Sequence, residues 1–583
     1  MDLERAEEYL RFAVSSISKK AYVFWGCMFA CVVMITVLIV LRMGFSHQLM
    51  FPWDTTIFLD AAWRLCCGQR AHIDFSYPYG DFFLDLIRVG MAIVGPKVQA
   101  ITVGMCIFAA TSAAAIWSIG SRRMPALLCF LVSSMVFVLP IATYPLGFHY
   151  KGTSYAMLYD RVGWALLCII AVEEIFPRRL VHCDWLDRLN FMLGSLCIGM
   201  EFYVKMNFFL VACGIVCYAN IIRGNRWWAL LAKLIGVIGV IFVLGVSLRI
   251  SIVGYLSDLS RMEPLYQPVD RIEGLLRVLD SNGVPLMLLF IAWAAVVRDW
   301  TPRSQRVLLT VMVVVAASIM VTSTNGQLVQ IPLIGLAAGY LLGPAGMGQD
   351  SRGAERGGEL WIGWVVAVFL IGTVLVPDVA SVINSVSWKE SNAVLIEKCR
   401  FHEKSIEELI LPPAEIVIRG NVEENGCSAV DDVFEGYQRY RETALTENEG
   451  VSALLSRNPW VKQMTAFEYC CWIKDGLKLL KPRITEKSTI MVMDYSNPFP
   501  FALGLPSARW DMPMWNYTGN VTGRTAPSVQ KLVATVDIIM IPKRAVIPYT
   551  SAFMQRHYAA MLAKDYTKVA ESKLWVLLQR RGL

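Results

Sequence analysis

Residues 51–85 read FPWDTTIFLDAAWRLCCGQRAHIDFSYPYGDFFLD. They follow an apolar run, Ala21–Leu41, that is long enough to cross a bilayer. Apolar residues fall at Ile57, Phe58, Ala61, Ala62, Leu65 and Cys66, the stripe of an amphipathic helix, and Gly68 stands where such a helix ends. A helix of this kind just behind a span should lie in the membrane interface plane. Asp60 and Arg64 are four residues apart on its polar side and read as a surface ion pair. Asp54 stands at the N-cap position, where a carboxylate can accept hydrogen bonds from free backbone N–H groups. Beyond the helix come Asp74, a Tyr77-Pro78-Tyr79-Gly80 turn and Asp81. This concentration of acidic and aromatic residues at a membrane surface is where chemistry is expected.

The rest of the chain supplies the membrane. Of 583 residues, 56% are hydrophobic and only 17% charged, against roughly 25% charged residues in soluble domains. Mean hydropathy is +0.49. Spanning runs are expected at Ala21–Leu41, Val98–Ile119, Pro125–Thr143, Val162–Phe176, Phe191–Val204, Met206–Ile222, Trp227–Leu248, Pro285–Val297, Val307–Val321, Leu328–Leu342 and Leu360–Val376, about eleven in all. If these alternate, Lys19-Lys20, Arg122-Arg123, Arg178-Arg179, Arg188, Arg223, Arg226, Arg298, Arg303, Arg306, Arg352 and Arg356 share one side. The positive-inside rule makes that side cytoplasmic, the N-terminus included, and places residues 51–85 outside. The long polar lead before the first span argues against a cleaved signal. The net charge of +7 follows from this loop bias and calls for no nucleic-acid partner.

The expected fold is mainly α: a polytopic transmembrane helical bundle over residues 1–377, followed by an outer-side α/β domain over 378–583. In the latter, Thr489–Asp494, Val536–Ile541, Lys568–Ala570 and Leu574–Leu578 read as strands, and Pro459–Leu480 and Ser551–Lys564 have helical spacing. Asp494-Tyr-Ser-Asn497-Pro498 should form a turn or binding loop at a strand end. No C-x-x-C occurs and the 6 histidines are scattered, which argues against a zinc site. A Cys399–Cys427 disulfide is compatible with the compartment.

A carboxylate just beyond the first span, a helix ending in Gly, then Asp74-Phe75 and a Tyr-Pro-x-Gly turn, resembles the first outer loop of the GT-C membrane glycosyltransferases. These include the protein mannosyltransferase-like and aminoarabinose transferase-like enzymes. The resemblance implies a transferase, inverting at the sugar carbon, that uses a polyprenyl-phosphate-linked sugar donor and a lipid, glycan or protein acceptor. It implies that Asp54 is the catalytic base or a ligand of a divalent cation, magnesium or manganese. Asp54-Thr55 departs from the two adjacent acidic residues common there. Asp74, Tyr77 and Asp81 would support the site.

Such a reaction also needs cations for the departing phosphate. Arg161 and Lys205 are the candidates, each at the outer end of a span. Each has a bland alternative: snorkelling for Arg161, and an ion pair with Glu201 four residues earlier for Lys205. The second outer loop also carries His149, Lys151, Tyr159 and Asp160; the third carries Asp258, Arg261, Glu263, Asp270, Arg271 and Asp280. No phosphate-binding G-x-x-x-x-G-K-[ST] or G-x-G-x-x-G motif occurs, and no cytoplasmic Asp-x-Asp. A bacterial inner membrane with the second domain in the periplasm fits this reading. A transporter or lipid flippase would show related halves and midplane charge, which are not visible here. A non-catalytic envelope-assembly scaffold is the third alternative.

Overall fold

The computed structural model describes the chain apart from residues 1–2, 44–45, 49, 147–149, 151, 177–183, 225–226, 262–267, 297–301, 324–330, 343–356, 392–399, 412–463, 465, 518 and 583. The expectations for His149, Lys151, Arg178, Arg179, Arg226, Arg298, Arg352, Arg356, Glu263, Cys399 and Cys427 fall outside the described residues.

Helix α1 (Leu3–Met43) leads into the opening segment, which forms α2 (Pro52–Cys66) and α3 (Phe82–Val94). The bundle continues through α4 (Gln99–Gly120), α5 (Ala126–Val138), α6 (Leu158–Ile175), α7 (Asp184–Val204), α8 (Met206–Ile222) and α9 (Trp227–Leu248). A short α10 (Ile252–Arg261) precedes α11 (Pro268–Val296), α12 (Pro302–Ser323), α13 (Pro332–Leu342) and α14 (Gly357–Ser391). Among the described residues, four stretches are long and apolar enough to cross a membrane: Lys20–Arg42, Gln99–Gly120, Trp227–Leu248 and Val365–Trp388. Shorter apolar helices lie beside them. Exposed Ile35, Phe242, Val246 and Phe369 make the outer faces of this bundle apolar, as lipid contact requires and water would not tolerate. The protein is an integral membrane protein.

Two features differ from the sequence reading. The first is α3, which lies in a stretch to which the sequence reading assigned no element. At 13 residues it is about 20 Å long, short of the roughly 30 Å hydrocarbon core. It packs against α4 at backbone distance: a Cβ on Gly90 would sit 1.9 Å from the Ala100 carbonyl oxygen. Small residues allow such approach between helices in lipid. The second is the last span. It does not end at Val376 but runs through Pro377 to Ser391. The expected domain boundary therefore falls inside α14. Asp378, which looks like the first polar residue outside, is buried in the bundle and neutralised by Arg161. A proline is tolerated in a membrane helix where neighbours satisfy the freed backbone groups.

The C-terminal domain, expected above to be the outer one and called so below, holds a four-stranded sheet of order β3-β4-β6-β5, with β3 (Ile490–Val492), β4 (Ile538–Pro542), β5 (Tyr566–Glu571) and β6 (Trp575–Arg580). β3 and β4 are parallel, with Ile490 opposite Ile538; the others pair antiparallel. Alternate residues of β3 enter two cores: Ile490 and Val492 on one face, Met491 and Met493 on the other. A sheet buried on both faces explains why this stretch reads as a continuous apolar run. Helix α15 (Ala466–Leu480) covers the first face, with Trp472 against Trp575 at 4.1 Å. Smaller helices α16 (Phe499–Leu503), α17 (Val529–Thr535), α18 (Pro548–His557) and α19 (Ala559–Asp565) complete the domain.

This domain sits on the opening segment. A two-stranded parallel pair joins β1 (Ser46–His47), just after α1, to β2 (Leu409–Ile410). Trp63 of α2 donates from its indole N–H to the Leu505 carbonyl at 2.8 Å. The backbone N–H of Trp510 reaches the Asp74 carbonyl, also at 2.8 Å.

Candidate functional site

Helix α2 starts three residues earlier than an N-cap at Asp54 would place it. Phe51 is the N-cap, in the left-handed region at φ 49°, and Pro52 opens the helix. Asp54 is therefore in the first turn rather than at the cap, and no side-chain cap hydrogen bond forms. Its carboxylate has no hydrogen-bond or ion-pair partner among the described residues. Burial pushes it up to about 7. Four tyrosines lie within its electrostatic reach: Tyr77, Tyr159, Tyr469 and Tyr495. They come from the Tyr-Pro turn, the start of α6, α15, and the loop after β3. Asp54 thus stands where the bundle, the opening segment and the outer domain meet.

The tyrosines are ordered by one another. Tyr79 stacks on Tyr159 with ring centroids 4.2 Å apart, and Tyr77 packs edge-on against Tyr79 at 5.8 Å. The Tyr469 hydroxyl lies 2.8 Å from Thr56 of α2 and 2.9 Å from Ser496, a polar stitch between helix and outer domain. The Tyr77 hydroxyl is buried and has no hydrogen-bond partner among the described residues.

Lys205 completes the cluster. It occupies the break between α7 and α8, in extended conformation at φ −166° and ψ 132°. The opening segment docks onto this break: the Gly80 N–H donates to the Val204 carbonyl at 3.3 Å. A Cβ on Gly80 would lie 2.2 Å from the Tyr203 carbonyl oxygen, so the turn needs glycine here. The Lys205 ammonium sits 5.4 Å from the Tyr79 ring centre and 5.2 Å from that of Tyr159. It donates to Asp160 at 3.3 Å and stays partly exposed.

The other candidates lie elsewhere. Arg161 is buried; it pairs with Asp378 at 2.9 Å and donates to the carbonyls of Tyr144 and Leu139. Those bonds tie α6 to α14 and account for the charge without a ligand. Glu201 does not pair with Lys205. The helix break turns the lysine toward Asp160, and both Glu201 carboxylate oxygens are buried with no hydrogen-bond partner among the described residues. Asp74 accepts the Arg70 N–H at 2.8 Å in a turn that faces the outer domain. Asp81 lies 2.7 Å from His72, whose other ring nitrogen is 2.9 Å from Asp258 of α10. Burial pulls the His72 imidazole down, but Asp81 and Asp258 outweigh it and hold it up at about 9. This charged trio pins the opening segment to α10. Asp81 and Asp74 therefore support the site from outside its tyrosine wall.

Asp60 and Arg64 do pair, at 2.8 Å, but both are completely buried rather than on the surface. The polar side of α2 faces the outer domain. Arg64 also donates to the carbonyls of Ala508 and Asp511 and pairs with the Asp511 carboxylate at 3.3 Å. Ser507 donates to Asp60 at 2.7 Å. Asp494 is likewise structural: it accepts the N–H groups of Tyr495, Val546 and Ile547.

A divalent cation would need more than Asp54. Among the described residues no three His, Cys, Asp or Glu side chains come together to hold one. The side chains around Asp54 are phenols, so they do not fit a metal shell built from protein ligands.

No family model matches the sequence, and no curated protein matches it. Two solved structures align with the fold, both of ArnT from Cupriavidus metallidurans. The structure bound to undecaprenyl phosphate aligns at TM-score 0.42 and 11% identity, covering 95% of this chain and 97% of that one. The apo structure aligns at TM-score 0.44 and 11% identity, covering 95% and 98%.

Proposed function

We propose that this chain is an outer-face membrane glycosyltransferase that moves a sugar from a polyprenyl-phosphate carrier to an acceptor hydroxyl or amine. One observation carries the reading: the Asp54 carboxylate, at the junction of membrane bundle and outer domain, has no partner among the described residues and is raised to about 7. An unpaired carboxylate in such a place is costly, and a base poised near neutrality is what proton abstraction requires. The resemblance of the first outer loop to GT-C enzymes supports the same residue.

In this mechanism Asp54 takes the proton from the acceptor O–H or N–H. The acceptor atom bonds to the sugar's anomeric carbon while the bond from that carbon to the phosphate oxygen breaks. The electron pair leaves with the polyprenyl phosphate, and attack opposite the leaving group inverts the centre. Lys205 stabilises the departing phosphate, held in place by Tyr79, Tyr159 and Asp160. Stacked phenol faces beside a cation also suit the flat, C–H-rich face of a sugar ring. No step is routed through a metal. The site belongs to the periplasmic face of a bacterial inner membrane.

The test is transfer from a labelled polyprenyl-phosphate sugar by purified protein in lipid, alongside mass analysis of envelope glycolipids from cells with and without the chain. Loss of one sugar modification, restored by the wild type and not by Asp54→Asn, is the expected result. Undiminished transfer by a well-folded Asp54→Asn protein overturns the assignment.

A further inference from the structure

A second feature lies at the other end of α2. A cavity of about 750 Å³ opens between the C-terminal end of that helix, the outer end of α9 and the start of α10. Leu65, on its wall, is eleven residues from Asp54, so the cavity is roughly 16 Å along the helix from the proposed base. Three arginines from three separate segments line it: Arg70 after α2, Arg88 of α3 and Arg249 after α9. Arg88 keeps one ion pair, to Asp85 at 2.8 Å. Arg70 and Arg249 have no acidic side-chain partner among the described residues. Asp81 also reaches the wall, but His72 already neutralises it.

Arg249 is held there at a conformational cost. Its backbone lies in the left-handed region at φ 59°, which disfavours any residue with a side chain. The strained turn redirects the chain at the end of the span and leaves Arg249 on the cavity wall. One side of the wall is apolar and open to the outside of the bundle: Phe242, Val246 and Val253 are 64%, 64% and 80% exposed. Three arginines around one cavity favour an anion among them, and planar guanidinium forks match phosphate oxygens. Apolar residues on the bilayer side fit acyl chains attached to that anion.

We propose that this cavity is a binding site for the phosphodiester headgroup of an anionic membrane phospholipid, separate from the Asp54 centre. The lipid fills the gap between the opening segment and α9, on the face where His72 and Asp258 pin that segment to α10. The inference needs the membrane placement but not the transferase reading.

The experiment is native mass spectrometry of the purified full chain released from nanodiscs of phosphatidylglycerol or phosphatidylcholine. Phosphatidylglycerol adducts should persist where phosphatidylcholine adducts do not. The triple variant Arg70→Gln, Arg88→Gln, Arg249→Gln should lower them about tenfold, the loss expected for removing charge-assisted hydrogen bonds. Arg249→Gln alone, a milder change, should lower them by about threefold. Asp54→Asn should leave them unchanged, so failure of the transferase reading does not touch this result. Equal retention of phosphatidylcholine overturns the proposal, as does unchanged phosphatidylglycerol binding by either arginine variant with wild-type thermal unfolding. Displacement of the lipid by inorganic phosphate at matched concentration would assign a small-anion site and also overturn it.

Discussion

Two carboxylates of one short helix, Asp54 and Asp60, have opposite fates. Asp60 is completely buried, paired with Arg64 and hydrogen-bonded to Ser507. Asp54, six residues earlier, has no such partner among the described residues and is raised to about 7 by burial. Evolution of stability alone would satisfy both, because even a half-buried carboxylate without a partner costs free energy. The paired end of α2 fastens the outer domain to the membrane, and the unpaired end is left available for chemistry. The helix is a bracket at one end and a reactive edge at the other.

The most direct way to break this contrast is Asp54→Asn. It keeps the shape of the side chain and removes the base. Transfer from a polyprenyl-phosphate sugar should fall by about 100- to 10,000-fold, the range for losing a general base. Expression and thermal unfolding should not suffer. If activity stays within a few-fold of wild type, Asp54 is merely a strained first-turn residue.

The paired end should behave in the reverse manner. Arg64→Ala leaves Asp60 and Asp511 buried without their cation. Asp511 is already pushed up to about 6 by burial, which Arg64 and hydrogen bonds from Trp515 and Asn497 partly oppose. Breaking a buried pair by removing one partner costs about 3–5 kcal/mol. The outer domain should loosen from α2, seen as faster hydrogen exchange at residues 505–515. Unaltered exchange and unfolding would mean that the pair does not hold the two parts together.

Much of this contrast was legible in the sequence, and the missing part has a physical cause. The apolar stripe of Ile57, Phe58, Ala61, Ala62 and Leu65 located α2, and the i, i+4 spacing located the Asp60–Arg64 pair. Periodicity says which residues share a face but not what covers the polar one. The outer domain does, through Ala508 and Asp511, more than 440 residues away in the chain. The same blindness to distant partners explains Arg161, which is absorbed by Asp378 in α14, and Tyr469 and Tyr495, which join the Asp54 cluster from the outer domain. Strands β3 to β6 were visible because their apolar runs are local. Helix α3 was missed because its charges, Asp85 and Arg88, and its 13-residue length hide an apolar face packed on α4. The Lys205 break was foreshadowed by two apolar runs meeting at that residue, but its choice of Asp160 over Glu201 depends on backbone geometry that spacing does not encode.

Lys205 sharpens the reactive side of the comparison. Lys205→Met removes the cation while leaving an apolar stem against Tyr79 and Tyr159. Loss of one preorganised charge at a leaving group costs on the order of 100- to 1,000-fold in kcat. Arg161→Met should instead reduce stability, since its partner Asp378 is wholly buried. If Arg161→Met abolishes turnover at wild-type stability and Lys205→Met does not, the two roles must be exchanged.

The pH profile gives a smaller effect of fixed sign. A base with a pKa of about 7 is protonated below neutrality, so kcat/KM should rise with pH, level off above 7, and fall about tenfold for each unit below. A flat profile between pH 5 and 8 in wild-type protein would be incompatible with Asp54 as the base.

The smallest effect is the most specific to the contrast. Asp54 has an ordinary carboxyl value of 3.8 when unfolded and about 7 in the folded chain. Between those values the folded state holds a proton that the unfolded state has released, so stability declines as pH rises through the window. Above 7 the cost of the buried charge is fully present. Asp54→Asn carries no charge at any pH and escapes it. The variant should therefore be more stable than wild type at pH 8, by about 1–2 kcal/mol after discounting for partial solvent access, with the gain vanishing near pH 4. Asp60→Asn should be destabilising at pH 8, because it strips Arg64 of its closest partner. Opposite signs for the same chemical change at two positions of one helix would establish that the fold satisfies one carboxylate and withholds satisfaction from the other. Destabilisation by both would put Asp54 among the structural residues.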